Sequence, residues 1–127
     1  MTDLKKYTIL VVDDDLDLRE LMFSIFEMQG FNVLSADSGN SAFELVKTET
    51  INLIVSDMRM PSGDGMQLLQ NVREYNSAIP IVIFVTGFSD ISVEECLAKG
   101  AKAVFTKPFD QRDLINSVKT QLNIPLA

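Results

Sequence analysis

The sequence predicts a doubly wound α/β domain built on a parallel sheet. Three observations carry that expectation. Five short apolar runs, rich in Val, Ile and Phe, recur along 127 residues. The segments between them space their apolar residues by three and four. The polar residues of most chemical interest fall just where the runs stop. Continuous apolar runs of this length suit strands buried on both faces, and parallel strands need crossover helices, which are right-handed.

The first run, TILVV (residues 8–12), leads straight into Asp13, Asp14 and Asp15. Leu18, Leu21, Met22, Ile25 and Met28 then repeat at helical spacing, and Gly30 is a stop signal. Asp17 with Glu20 reads as a capping pair at the start of that helix. The second run is FNVL (31–34), followed by a helix marked by Ala42, Leu45 and Val46. The third run, NLIVS (52–56), ends at Asp57. The loop MRMPSGDG follows, where Pro61, Gly63 and Gly65 keep a helix from starting at once. Met66, Leu69, Val72 and Arg73 mark the third helix. The fourth run, IVIFV (81–85), ends at Thr86. Val93, Cys96 and Leu97 mark a fourth helix stopped by Gly100. The last run, AVF (103–105), ends at Thr106, Lys107 and Pro108. Leu114, Ile115, Val118 and Leu122 mark the fifth helix, with Pro125 past its end. No internal repeat, low-complexity tract or interior linker divides the chain, so one domain over residues 1–127 with no output domain is expected.

Composition excludes several classes of function. A net charge of −7 leaves no basic patch for phosphate backbones or for an anionic membrane surface, so neither nucleic acid nor membrane is an expected partner. No apolar run approaches the length of a membrane span, and the N-terminus lacks the pattern of a secretory signal. With Cys96 as the single cysteine no intrachain disulfide forms, and the expected location is the cytoplasm. The absence of histidine excludes His-based acid–base chemistry and His metal ligands on this chain.

In an open α/β sheet, ligands bind outside the carboxyl ends of the strands, where the strand order reverses. Asp13, Asp14, Asp57, Thr86 and Lys107 are therefore expected to meet at one edge. Carboxylates a few ångströms apart cannot all stay ionised without a cation. Mg²⁺ takes oxygen ligands and is commonly held by one or two carboxylates together with phosphate oxygens. Lys107 adds positive charge and Thr86 a hydroxyl donor, which describes a pocket for one metal and one phosphoryl-sized group. An accessible carboxylate beside a metal, here Asp57, can act as a nucleophile. Asp15 and Asp17 read instead as helix-start residues, since aspartate there caps free N–H groups and complements the helix dipole. Cys96 reads as a small buried hydrophobe and Thr106 as strand surface.

Four pieces, VVDDD (11–15), SDMRMPSGDG (56–65), VTG (85–87) and FTKPF (105–109), resemble the receiver domain of two-component response regulators, in family order and over nearly the whole chain. The resemblance implies a flavodoxin-like three-layer (βα)5 sandwich with sheet order 2-1-3-4-5. It implies that Asp57 is the phosphoacceptor for a sensor-kinase phosphohistidine, with Mg²⁺ (or Mn²⁺) held by Asp13, Asp14, Asp57 and the backbone carbonyl of Arg59. Within that set Asp14 is the direct ligand of the acid pair, and Asp13 binds partly through water. Thr86 is then the switch hydroxyl, Lys107 the ammonium that pairs with Asp57 and later with the phosphoryl group, and the Lys107–Pro108 bond is cis. The implied protein is not an enzyme beyond self-catalysed phosphoryl transfer and autodephosphorylation. Its implied partners are a sensor histidine kinase or a histidine-phosphotransfer protein and a downstream protein, and its state a monomer or a weak phosphorylation-dependent dimer.

One departure stands out. The family commonly places Tyr or Phe three residues before the lysine, and this chain has Val104 there, with Phe105 adjacent. The stretch from Thr86 to Lys107 also runs about one residue short of the family pattern, and Phe88 sits two residues past the threonine. Two other functions remain open on the sequence. One is a phosphorelay shuttle to a histidine-phosphotransfer protein. The other is a phosphohydrolase of the haloacid dehalogenase type, whose Asp-x-Asp motif Asp13 and Asp15 would supply, leaving Asp57 idle.

Overall fold

Five strands pair in parallel throughout, in the order β2-β1-β3-β4-β5. They are β1 (Thr8–Val12), β2 (Asn32–Ala36), β3 (Leu53–Ser56), β4 (Ile81–Thr86) and β5 (Ala103–Thr106). The intervening helices are α1 (Leu16–Gln29), α2 (Gly39–Thr48), α3 (Gly65–Tyr75), α4 (Val93–Ala98) and α5 (Gln111–Gln121), and a 3-10 turn at Leu4–Lys6 precedes β1. These coordinates are a computed structural model that describes residues 3–87 and 92–126. Doubly wound topology and strand order are as expected.

The sheet separates two cores. Alternate residues of the strands (Leu10, Val12, Ile54, Val82, Phe84) pack against Ala42 and Val46 of α2, Leu68, Leu69 and Val72 of α3, and Cys96 of α4. The other parity (Ile9, Val11, Leu53, Val55, Ile83, Val85) packs against Met22, Ile25 and Phe26 of α1 and Leu114 and Val118 of α5. The central strands β1 and β3 are buried at every position, while β2 and β5 lie at the edges and are partly exposed. That burial explains why the central runs carry no period-two alternation.

Two expectations about α1 are corrected. Its N-cap is Asp15, whose carboxylate accepts from Asp17 N at 3.0 Å and Leu18 N at 3.2 Å, so the Asp17–Glu20 pair is not the cap. An N-cap keeps extended backbone while its side chain turns back onto the first free N–H groups, and the turn after β1 places Asp15 there. Leu21 and Met28 are exposed (50% and 85%), whereas Phe26 is fully buried against Phe31 with ring centroids 6.2 Å apart. Both stripes satisfy helical spacing, and the one that faces the sheet was decided by the direction in which α1 crosses it. Gly30 ends α1 in the left-handed region at φ 105°. Cys96 is buried and Thr106 exposed, as expected.

Candidate functional site

Backbone pairing continues one residue past three strand ends and sets the site. Asp57 N donates to Val12 O at 2.9 Å, Asp13 N to Ala36 O at 3.2 Å, and Lys107 N to Thr86 O at 2.8 Å. Since β1 lies between β2 and β3, and Val12 pairs with Ser56, Asp13 and Asp57 emerge side by side. Lys107 leaves the outer strand β5 and reaches back across β4.

Asp13, Asp14 and Asp57 each place a carboxylate oxygen within 4.8 Å of the others. Asp13 and Asp57 are buried (1% and 5% exposed), which corrects the expectation of an accessible Asp57, since β3 is a central strand covered on both faces, and Asp14 is exposed. Asp57 Oδ1 accepts from Met58 N at 2.7 Å, and Asp57 Oδ2 lies 3.3 Å from Lys107 Nζ. Asp13 Oδ1 accepts from Asp15 N at 2.9 Å. Asp13 Oδ2 is buried with no hydrogen-bond partner among the described residues, and Lys107 Nζ lies 3.5 Å from it. Burial pushes the Asp13 carboxyl above its ordinary value. The Asp15 N–H and Lys107 pull it down, while Asp57 and Asp14 push it further up. Two buried acids thus share the Lys107 ammonium with Asp14 close by, and the buried Asp13 Oδ2 has no hydrogen-bond partner among the described residues. Oxygen donors in this state fit a hard divalent cation.

The other expected residues fall as follows. Thr86 is buried (1% exposed) at the end of β4. Arg59 is exposed two residues past Asp57, where it lines a groove of about 420 Å³ with Met58, Met60, Met66, Ser92 and Glu95. The Lys107–Pro108 bond is cis, and so is Ile79–Pro80. Val104 packs on the α2–α3–α4 side of the sheet and Phe105 on the α1–α5 side, so Phe105 cannot stand in for an aromatic at position 104. Phe88 lies outside the described residues.

Three supports of the site escaped the sequence reading. Arg19 Nη1 of α1 donates to the Asp13 carbonyl at 2.8 Å. Ser56 Oγ donates to the Asp57 carbonyl at 2.7 Å, and Gly65 N to Met58 O at 2.6 Å. A helix arginine and a strand serine carry no sequence signal for these roles; only the close approach of Gly65 does, since a Cβ there would lie 2.5 Å from Asp57 O.

A flavodoxin-like domain with an acid cluster and a lysine at the crevice of its sheet defines the class: a doubly wound α/β domain with an acidic site at its strand ends. The model of the response regulator receiver domain matches residues 9–119, and the chain belongs to that family. It is 34% identical over 116 residues to the response regulator receiver protein CpdR of Brucella abortus, covering 90% of this chain and 95% of CpdR. It is also 34% identical over 114 residues to the regulatory protein VanRc of Enterococcus gallinarum, but there it spans only 49% of the relative's length. Among solved structures, the CheX–CheY–BeF3–Mg²⁺ complex from Borrelia burgdorferi contains a chain that aligns with a TM-score of 0.85 at 29% identity, over 91% of this chain and 89% of that one. No helix among the described residues is long and apolar enough to cross a membrane.

Proposed function

We propose that this receiver domain accepts a phosphoryl group on Asp57 from the phosphohistidine of a sensor kinase and thereby switches a protein-binding surface in the cytoplasm. The observation that carries the reading is the cluster of Asp13, Asp14 and Asp57 within 4.8 Å, with Lys107 Nζ 3.3 Å from Asp57 and 3.5 Å from Asp13. Asp13, Asp14, Asp57 and the Arg59 carbonyl would hold Mg²⁺, or Mn²⁺ in its place. When bound, the metal supplies positive charge to the oxygens of the transferring group. The likeness to a chain solved with BeF3 and Mg²⁺ supports this assignment.

The chain's own residues then divide the work. An Asp57 carboxylate oxygen attacks phosphorus, the P–N bond breaks, and its electron pair leaves with the imidazole of the donor. The product is an aspartyl phosphate. Such transfer is mostly positioning and charge stabilisation. Asp57 is positioned by the Met58 N–H and by its strand-end backbone bond. Lys107 exchanges its carboxylate partner for a phosphoryl oxygen. Thr86 donates its hydroxyl to the same group, which biases the α4–β5–α5 face between two states. With valine at 104 no aromatic ring is there to swing, so that bias starts from Thr86 or the output face works by a different route.

The test uses a small-molecule phosphodonor with Mg²⁺ and locates the label. Label on Asp57, lost in Asp57→Asn and with chelator, is the expected result. Label on Asp13 would establish the phosphohydrolase reading instead. Passing the labelled protein to histidine-phosphotransfer domains separates the two signalling roles: transfer marks a shuttle, and retention marks a switch.

A further inference from the structure

The loop between Asp57 and α3 carries the Arg59 carbonyl, and it is held from outside the site. Residues 62 and 63 both have left-handed backbone, Ser62 at φ 60° and Gly63 at φ 102°. Two such residues in succession, one of them not glycine, persist only where their surroundings hold them. At the base of the loop Gly65 N donates to Met58 O at 2.6 Å, and Asp64 caps α3 by accepting from Gln67 N at 2.8 Å. At its tip the partner is the first turn of α2. Gly39 N donates to Gly63 O at 2.8 Å and Asn40 N to Ser62 O at 3.1 Å. Those N–H groups belong to the set that a helix leaves without internal acceptors, so α2 spends free donors on the loop. The approach requires glycine on both sides. A Cβ at Gly39 would lie 2.4 Å from Gly63 O and 3.0 Å from Asp64 O, and one at Gly63 would lie 2.6 Å from Asn40 Oδ1.

We propose that the N-terminus of α2 is a positioning brace for the metal site: Gly39 and Asn40 hold residues 62 and 63 so that the loop from Asp57 to Gly65 is set before the cation arrives. The inference rests on the receiver reading, in which that loop supplies a ligand. Supporting groups outside the ligands commonly account for 10–100-fold in metal affinity. Coupling is also reciprocal, so a brace that strengthens Mg²⁺ binding must itself be strengthened by it.

The experiment begins with Mg²⁺ titration of the wild-type chain by calorimetry, and with amide hydrogen exchange by NMR with and without saturating Mg²⁺. Wild-type protein that binds no Mg²⁺ overturns the receiver reading itself. Given binding, Mg²⁺ is expected to slow exchange at the Gly39 and Asn40 amides several-fold while leaving the last turn of α2 unchanged; unaltered exchange at both overturns the brace alone. Gly39→Ala is then expected to weaken Mg²⁺ about tenfold, with Thr48→Ala at the far end of α2 as the control that keeps wild-type affinity. A folded Gly39→Ala protein with wild-type affinity also overturns the brace. Asn40→Pro removes one donor in the first helical turn, where proline is tolerated, and is expected to act in the same direction. If neither variant folds, the exchange measurement on the unmodified protein decides.

Discussion

Two demands meet at Asp13. The carboxylate is buried beside two other acids, and one of its oxygens lacks a hydrogen-bond partner among the described residues. Desolvation raises its pKa above the 3.8 of a free side chain. In the metal-free protein the folded state therefore holds this proton more tightly than the unfolded chain does. Its penalty is absent below pH 3.8, grows as pH rises from there toward the raised folded value, and is complete above it. Asp13→Asn keeps the Oδ1 acceptor for Asp15 N and removes the charge. In chelator, its stability advantage over wild type should widen from low pH upward and then level off, as read from urea unfolding at a series of pH values. A pH-independent gap would reject this account. The same variant should lose Mg²⁺ binding, so the residue that costs stability is one that the site requires. Asp15, in the same acidic run, has the opposite character. Asp15→Ala removes an N-cap and should cost about 1 kcal/mol while leaving Mg²⁺ affinity unchanged, since Asp15 is outside the cluster.

Element by element, α1 shows where sequence pattern stops being decisive. Leu21, Met22, Ile25, Phe26 and Met28 allow more than one apolar stripe at a spacing of three and four. The structure buries Met22, Ile25 and Phe26 and turns Leu21 and Met28 outward. Phe26→Ala should cost about 3–5 kcal/mol by opening a cavity in the α1–α5 core. Met28→Gln should change stability by no more than about 0.5 kcal/mol. Thermal or denaturant unfolding of the two variants checks both, and comparable losses would show the assigned face to be wrong. The strands were more legible than the helices. A run buried on both faces needs no choice of side, and four of five runs were located to within a residue at each end. The second apolar run, 31–34, is offset from its strand, Asn32–Ala36, because an edge strand mixes polar residues into its pattern.

At the scale of the whole molecule, the chain concentrates negative charge at one edge of its sheet while carrying −7 overall. A divalent cation that binds only the folded state should therefore raise its stability, by about 2.7 kcal/mol at a hundredfold excess over the dissociation constant. Scanning calorimetry with Mg²⁺, chelator and an ionic-strength-matched NaCl control reads this; a NaCl effect equal to that of Mg²⁺ would mean screening of self-repulsion rather than site binding. The sequence by itself determined the βα alternation, the position of the acids, hydroxyl and lysine at strand ends, and the family, because each is a property of residues close together in the chain. It also showed that position 104 lacks an aromatic. Only the tertiary structure decided which acids meet, that Lys107 sits between Asp13 and Asp57, that Arg19 and Ser56 hold the strand-end carbonyls, and that Gly39 meets Gly63. Such contacts depend on strand order and on the angle at which helices cross the sheet. These follow from packing two cores against one twisted sheet, and no local run of residues encodes them.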